Sequence, residues 1–335
     1  MIPESPLDHT AIDWFMTEVT VGYTVSVESS FDPSHAQFLH KGIAGFSPER
    51  AIPMEHFEVL EEITGDAGFC LKHSGYNIFN KDMNATRKFT PPCANTTIYE
   101  YSNGKLALFQ LYFVPTKPGY CKQIGKFVFS SPENPKFSWQ MLPKLLPNLL
   151  SNFWLKLLPE YLQIGLKHSF NDKLSNQDIA MMHSQTVNEF RGGNQSWQKS
   201  YFMPSLADVG IVTFRKWLDE FGGGQPEWQG VQVTSFPELT EQELYDRWHR
   251  HTKHCPNCRQ SLFLLDKLKK YCQILLLLLT IINLGLIIFH LPLNMVLIPV
   301  LIGILILFFF YKLDSFHHRF LSYIPKSGLP IVKLD

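Results

Sequence analysis

Among 335 residues there are only six cysteines, and just one close pair among them, Cys255 and Cys258. Cys70, Cys93, Cys121 and Cys272 stand apart, which excludes the disulfide framework of a small secreted protein. An excess of either charge is also missing. Lys+Arg and Asp+Glu both number 30, so the chain carries no basic footprint for nucleic acid. The opening MIPESPLDHTAIDW lacks a basic stretch followed by an apolar one, and no signal peptide is read there. Internal repeats and low-complexity tracts are absent outside an apolar C-terminal region. What the chain has in quantity is aromatic carbon, with 27 Phe, 12 Tyr and 7 Trp. That load suits a large core and equally a large apolar ligand. The length allows one large domain or two ordinary ones.

The C-terminal third differs from the rest. Residues 271–289 and 295–311 form two apolar runs without Asp, Glu, Lys or Arg. Each approaches the roughly 20 residues a helix needs to cross a bilayer. Between them HLPLN can turn a helical hairpin, and the alternative is a buried hairpin in a soluble core. Lys267, Lys269 and Lys270 precede the first run and Lys312 follows the second. An integral membrane protein is therefore expected, with both ends on the cytoplasmic or stromal side.

Upstream, TEVTVGYTVSVES alternates with period two and reads as a strand. Residues 31–63 read as helix and loop ending in an extended segment, and residues 66–132 as mostly strands. Asn103-Gly104 marks a hairpin between apolar runs, and the turn at PTKPGY leads into a further strand. Residues 138–165 form a leucine-rich, proline-punctuated helical region suited to covering a cavity or lying on a membrane. Residues 174–190 and 205–221 read as amphipathic helices, the second ended by glycines 222–224.

The densest chemistry lies in FDPSHAQFLHKG, which holds Asp32, His35 and His40. At about 100° per residue, Asp32 and His35 share a helix face while His40 lies about 140° round from His35. The two histidines meet on one metal only if the helix is locally over-long or ends between them. Pro33 fits the first turn of such a helix and Gly42 its end. Two imidazoles and one carboxylate make the facial set of non-haem Fe(II) oxygenases. Asp178, read as opening a helix after the polar loop Ser175-Asn176-Gln177, is the first candidate for the carboxylate. It could instead be an N-terminal helix residue favoured by the dipole. Asp208 is the second candidate.

The segment VESSFDPSHAQFLHKG resembles the catalytic motif of Rieske-type oxygenases, in which a Glu-Asn pair precedes D-x-x-H-x-x-x-x-H. More narrowly, the chain resembles the pheophorbide a oxygenase and chlorophyllide a oxygenase family, which includes a translocon-associated relative at the plastid inner envelope. NQDIAMMHSQ is similar to that family's iron-aspartate helix, YFMPSLADVGIVTFRKWLDEFGGGQPEW to its C-terminal block, and HTKHCPNCR to its CxxC segment. The resemblance implies an α+β, helix-grip (START-like) catalytic domain: a curved antiparallel sheet wrapped on helices around a deep apolar cavity. It implies His35, His40 and Asp178 as ligands of a mononuclear Fe(II), and Asp32 as the acidic bridge that carries electrons in from a Rieske cluster. Ser29 stands where the family has asparagine, and Thr186 follows Gln185 where glutamate is common.

A Rieske [2Fe–2S] cluster needs C-x-H followed by C-x-x-H. Cys70-Leu71-Lys72-His73 has the second spacing, but no C-x-H precedes it. The chain is then a fragment or mis-started product, or a separate protein supplies the cluster, or activity has been lost. Cys255-Pro256-Asn257-Cys258 reads as a redox dithiol, a zinc half-site with His249, His251 or His254 nearby, or two unrelated thiols. In the resembled family this CxxC is a thioredoxin target, and Arg250, Lys253 and Arg259 would favour exchange. The redox reading is preferred.

The expected organisation is a catalytic domain over residues 1–245, a CxxC linker over 246–270, a membrane hairpin over 271–312 and a tail over 313–335. The expected function is a membrane-anchored monooxygenase acting on a chlorophyll-derived tetrapyrrole such as pheophorbide a or chlorophyllide a. Dioxygen, a ferredoxin-type electron donor and thioredoxin are the expected partners, with a homotrimer as the family's assembly. A thylakoid, plastid or phototroph cytoplasmic membrane is the expected location. Two rivals are a non-catalytic module that binds a tetrapyrrole or lipid, and a redox-sensing membrane protein working through Cys255 and Cys258.

Overall fold

Alternation decides the sheet. In β4 (Asn84–Thr90) and β5 (Ala94–Glu100) every second residue turns inward along most of the strand. The computed structural model describes residues 14–41, 46–130, 157–192, 196–224, 236 and 238–322. Its strands are β1 (Phe15–Val19), β2 (Phe57–Thr64), β3 (Gly68–Ser74), β4, β5, β6 (Leu106–Lys117) and β7 (Tyr120–Ser130). They form one antiparallel sheet in the order β1-β7-β6-β5-β4-β3-β2. The chain is α+β, as expected. Asn103-Gly104 does make the β5–β6 hairpin. Gly104 sits at φ +78°, and Tyr101 and Lys105 close the turn at 2.9 Å.

Two compact units divide the chain. The first takes Met1–Pro147, Asp172–Leu244 and Ile324–Asp335, and the second Asn148–Asn171 and Tyr245–Tyr323. The first unit holds the sheet, α1 (Tyr23–Phe31), α2 (His35–Leu39), most of α3 (Glu160–Gly192) and α4 (Val209–Phe221). Its core is an aromatic stack. Phe31 packs on Phe69 at 5.1 Å between ring centroids, Phe89 on Phe214 at 5.2 Å, and Phe89 on Trp217 at 4.7 Å. These rings lock α1 and α4 to β3 and β4. Gly223 and Gly224 have φ of +68° and +81°, and the amides of Gly222 and Gly224 cap Leu218, ending α4 where the glycines predict.

The period-two stretch at residues 17–29 is corrected in its second half. β1 stops at Val19 and α1 starts at Tyr23. Val25, Ser26 and Val27 are all buried, so the alternation carries no inside–outside information. Packing against sheet and helix overrides β propensity there. The leucine-rich region at 138–165 lies outside the described residues up to 156; beyond that, α3 opens at Glu160.

A buried cation ties the end of α1 to the sheet. Arg87 of β4 donates to the Ser30 carbonyl, to Tyr99 Oη at 2.9 Å and to His73 Nε2 at 2.9 Å. His73 Nδ1 in turn faces the Ser74 carbonyl at 2.8 Å. His73 is therefore a neutral acceptor inside a structural network. Cys70 and His73, an odd number of positions apart on β3, also leave opposite faces of the strand.

The second unit contains two long helices, α5 (Pro256–Ile288) and α6 (Leu293–Leu321), which enclose the apolar runs. Only 6% and 0% of their most apolar windows are buried, so the described residues of this chain leave those faces uncovered. Residues 289–292 turn between them, with His290 at φ 53°. Lys269 meets Asp314 at 2.5 Å and His317 meets Asp266 at 2.8 Å near the polar ends of the pair.

Burial first, and then the Arg87 guanidinium, push the His73 pKa down from 6.5 to about 3. The folded chain thus refuses a proton that the unfolded chain takes near 6.5, and His73's contribution to stability is complete above that pH. It is lost as pH falls from 6.5 towards 3. Urea unfolding at pH 7 and pH 4 is expected to show His73→Gln flatter by on the order of 3 kcal/mol than wild type. Equal pH slopes for the two would contradict the assignment.

Candidate metal centre

The site begins with a helix that stops early. Asp32 closes α1, its amide bonded to the Glu28 carbonyl at 3.0 Å. Its Oδ1 then accepts from the amide and hydroxyl of Ser34 at 2.8 and 2.5 Å, and from the His35 amide at 3.3 Å. This side-chain turn starts α2 at His35. α2 lasts five residues, and His40 is its C-cap at φ −89° and ψ 27°, outside helical geometry. Of the two routes by which imidazoles five positions apart can converge, the chain uses the early helix end. Gly42 lies outside the described residues.

Asp178 is placed differently from the sequence reading. Residues 175–177 are not a loop, and Asp178 sits well inside the 33-residue helix α3. Asn176 and Gln177 are 0% and 1% exposed, and Asn176 Nδ2 donates to Asp172 at 3.3 Å. A polar run that faces inward looks like a loop in sequence. The helix-dipole explanation of Asp178 falls away with it. Asp208 is accounted for as well: it forms a capping box with Ser205, its Oδ2 accepting from the Ser205 amide and hydroxyl at 2.8 Å.

His35, His40 and Asp178 do come together. Asp178 Oδ1 lies 3.8 Å from His35 Nε2 and 3.4 Å from His40 Nε2, and the imidazole centroids are 5.3 Å apart. Those separations are long for hydrogen bonds and suit three atoms that share one cation. The facing atoms carry the stronger signal. Asp178 Oδ1, which faces the Nε2 atoms of both histidines, is buried and has no hydrogen-bond partner among the described residues. A bare carboxylate oxygen between two imidazole nitrogens is what a bound cation satisfies.

Neighbours aim the rings. His40 Nδ1 is 3.1 Å from Gln177 Oε1, an acceptor, so the proton belongs on Nδ1 and the Nε2 lone pair faces Asp178. Sequence reasoning missed Gln177's role; its place next to the candidate carboxylate was the available signal. Asp32 Oδ2 stands 3.7 Å from His35 Nδ1, an ion-pair separation.

Burial and neighbouring charges shift these groups in different directions. Burial raises the Asp178 pKa, although both histidines oppose it. Burial and His35 lower that of His40. For His35, burial acts downward but is outweighed by Asp32 and Asp178, and the pKa rises. Asp32, against the effect of burial, is held at about 2 by His35 and Ser34. Ser29 donates to the Ser26 carbonyl at 2.8 Å. Thr186 accepts from the Gly22 amide at 3.0 Å and donates to Met182. Both have local packing partners in place of the family's residues.

Cys255 and Cys258 are both free thiols, Cys258 fully buried. The structure brings His251 and His168 to them, whereas His249 pairs with Asp246 at 2.5 Å. The Cys258 thiol chiefly, helped by the two imidazoles, overcomes burial and pulls the Cys255 pKa down to about 2. A hollow of about 500 Å³ lies elsewhere in the first unit, lined by Gln185, Glu189, Trp197, Tyr201 and Arg215 among others.

The pheophorbide a oxygenase family pattern matches residues 89–196, which include Asp178. The chain is 29% identical to a chloroplastic pheophorbide a oxygenase of Oryza sativa subsp. japonica, over 74% of this chain and 45% of the relative. It is 26% identical to flavonoid 8-hydroxylase 2 of Ocimum basilicum, over 77% of this chain and 47% of the relative. The chain is thus similar to the pheophorbide a oxygenase family, by that stretch and by its relatives. It spans about half the length of the relatives it matches. A further relative, at 23% identity over 77% of this chain and 49% of the relative, is protochlorophyllide-dependent translocon component 52 of Arabidopsis thaliana. Among solved structures, Pseudomonas putida NdmA matches with a TM-score of 0.37 and 18% identity, over 65% of this chain and 53% of that one. Dicamba monooxygenase with dicamba bound matches with a TM-score of 0.36 and 12% identity, over 67% and 63%.

An uncompensated buried carboxylate destabilises the metal-free fold. Asp178→Asn is therefore expected to leave the chelator-treated protein unchanged or up to ~1–2 kcal/mol more stable by thermal unfolding. A structural ion pair predicts the opposite, a loss of about 3–5 kcal/mol.

Proposed function

We propose that this chain is the mononuclear-iron part of a Rieske-type monooxygenase that acts on a chlorophyll-derived tetrapyrrole such as pheophorbide a or chlorophyllide a. The observation that carries the reading is the convergence of His35, His40 and Asp178 around a carboxylate oxygen with no hydrogen-bond partner among the described residues. Two imidazoles and one carboxylate leave coordination positions open, as an oxygenase requires. Bound there, ferrous iron would supply the redox chemistry for dioxygen. The chain's own residues do the rest. Gln177 fixes the His40 tautomer, and Asp32 starts α2 while keeping a negative charge beside His35.

Electrons would come from a [2Fe–2S] Rieske cluster carried outside these 335 residues, since no C-x-H and C-x-x-H pair occurs within them. Asp32 is the group through which they would pass to the His35 side. The exposed apolar helices α5 and α6 support a membrane anchor, and the chloroplastic names of the relatives support a plastid membrane. The tetrapyrrole follows the relatives named pheophorbide a oxygenase; the basil relative's name makes a flavonoid the comparison substrate.

Full-length chain in detergent, loaded anaerobically with Fe(II), is expected to hold about one iron, reduced roughly tenfold or more by His40→Ala or Asp178→Ala. With a Rieske protein and reductase added, pheophorbide a should stimulate oxygen uptake and a flavonoid should not. Iron retention that is unaffected by both substitutions would remove the site. Tight tetrapyrrole binding without iron would establish the non-catalytic module instead.

A further inference from the structure

The CxxC does not stand alone in the fold. Four side chains of the second unit converge: His168 from α3, His251 from a single turn of π-helix at Trp248–Thr252, and Cys255 and Cys258 at the start of α5. One ligand atom from each lies within 4.8 Å of all the others. We propose that these residues form a tetrahedral Cys2His2 zinc site, separate from the iron triad and independent of the oxygenase reading.

Distances carry the argument. Around one zinc, sulfur at about 2.3 Å and nitrogen at about 2.05 Å from the metal stand about 3.6 Å apart at tetrahedral angles. Here His168 Nδ1 is 3.5 Å from Cys255 Sγ and 3.5 Å from Cys258 Sγ, and His251 Nε2 is 3.2 Å from Cys258 Sγ. A hydrogen bond would explain one such contact. A single N–H shared between two sulfurs makes two bent, weakened bonds, whereas a shared metal accounts for the equal pair. The imidazoles stand at 82° to each other with centroids 5.0 Å apart, as two ligands of one ion can.

Burial points the same way. Cys258, His168 and His251 are 0%, 4% and 5% exposed, and Cys255 is half-buried. A structural zinc site is closed by its protein ligands, while an exchange dithiol must admit a partner's sulfur. The first turn of a helix also favours two thiolates. Soft sulfur with imidazole in tetrahedral array selects zinc, or iron with sulfide. A Rieske cluster is excluded by shape: it puts both cysteines on one iron and both histidines on the other. In this cluster His168 is equidistant from both sulfurs and His251 touches Cys258, so all four donors surround one point.

The site would fasten three segments, since His168 lies 87 residues before Cys255. Around it Thr252 Oγ1 donates to the Phe320 carbonyl at 2.6 Å, and Ser261 Oγ to the Tyr161 carbonyl at 3.0 Å. The metal is thus placed where the polar ends of α5 and α6 meet the first turns of α3, all within the second unit. Metal binding displaces a proton from each thiol still protonated, and no electron transfer is involved.

The test uses full-length chain in detergent carrying His35→Ala and His40→Ala, so that the other donor set cannot take zinc. Elemental analysis should find about one zinc, with X-ray absorption at the zinc edge showing two sulfur and two nitrogen neighbours. His168→Ala or Cys258→Ser should lower zinc content roughly tenfold or more. Should either variant fail to fold, thiol alkylation decides on the parent protein. Cys255 and Cys258 should be protected until a chelator is added and then react. A zinc-free protein whose two thiols alkylate at once, or close to a disulfide that thioredoxin reopens, would overturn the proposal. So would iron with acid-labile sulfide at this site.

Discussion

A carboxylate oxygen placed inside protein, facing two imidazoles and given no hydrogen-bond donor among the described residues, is the constraint on which the first unit is organised. Burial disfavours the charge of Asp178, and the histidines stand too far away for good hydrogen bonds to it. Everything near it holds the arrangement in place. Arg87 fastens the end of α1 to β4, Asp32 begins the next helix, and that helix ends at once so that His40 can turn back. Gln177, one residue before the carboxylate, sets the His40 ring. The sheet and its aromatic core supply the stiffness; the strain of the site is electrostatic.

Much of this was legible because it depended on local rules. Glycines with positive φ marked the β5–β6 hairpin and the end of α4, and apolar length marked α5 and α6. The ligand set was named from short motifs and a family resemblance, and the structure brings those three residues together. Two features were hidden for physical reasons. Val25-Ser26-Val27 alternates like a strand, yet helix packing buries all three. Ser175-Asn176-Gln177 is polar enough for a loop, yet it lies inside α3 because its buried amides find partners there. Local composition reports exposure only when a segment has a wet side.

His168 was hidden for another reason. Nothing near it in sequence is a ligand, and its cysteine partners lie 87 and 90 positions away. A CxxC read by itself therefore favours a dithiol, since exchange needs only the two sulfurs and a cationic neighbourhood. Adding two buried imidazoles reverses that preference. They stand within 3.5 Å of the sulfurs and complete a coordination shell.

The two donor sets cannot exchange roles, and the reason is coordination number. Two nitrogens and one oxygen leave a six-coordinate ion with empty positions, so dioxygen has a place beside it. Two nitrogens and two sulfurs fill a tetrahedron and leave no position open. Hard and soft donors add a second filter, since thiolate selects zinc while carboxylate suits a harder ion. The histidines are common to both sets. The residues that differ, Asp178 in one and Cys255 with Cys258 in the other, decide which metal each set favours and whether chemistry can occur on it.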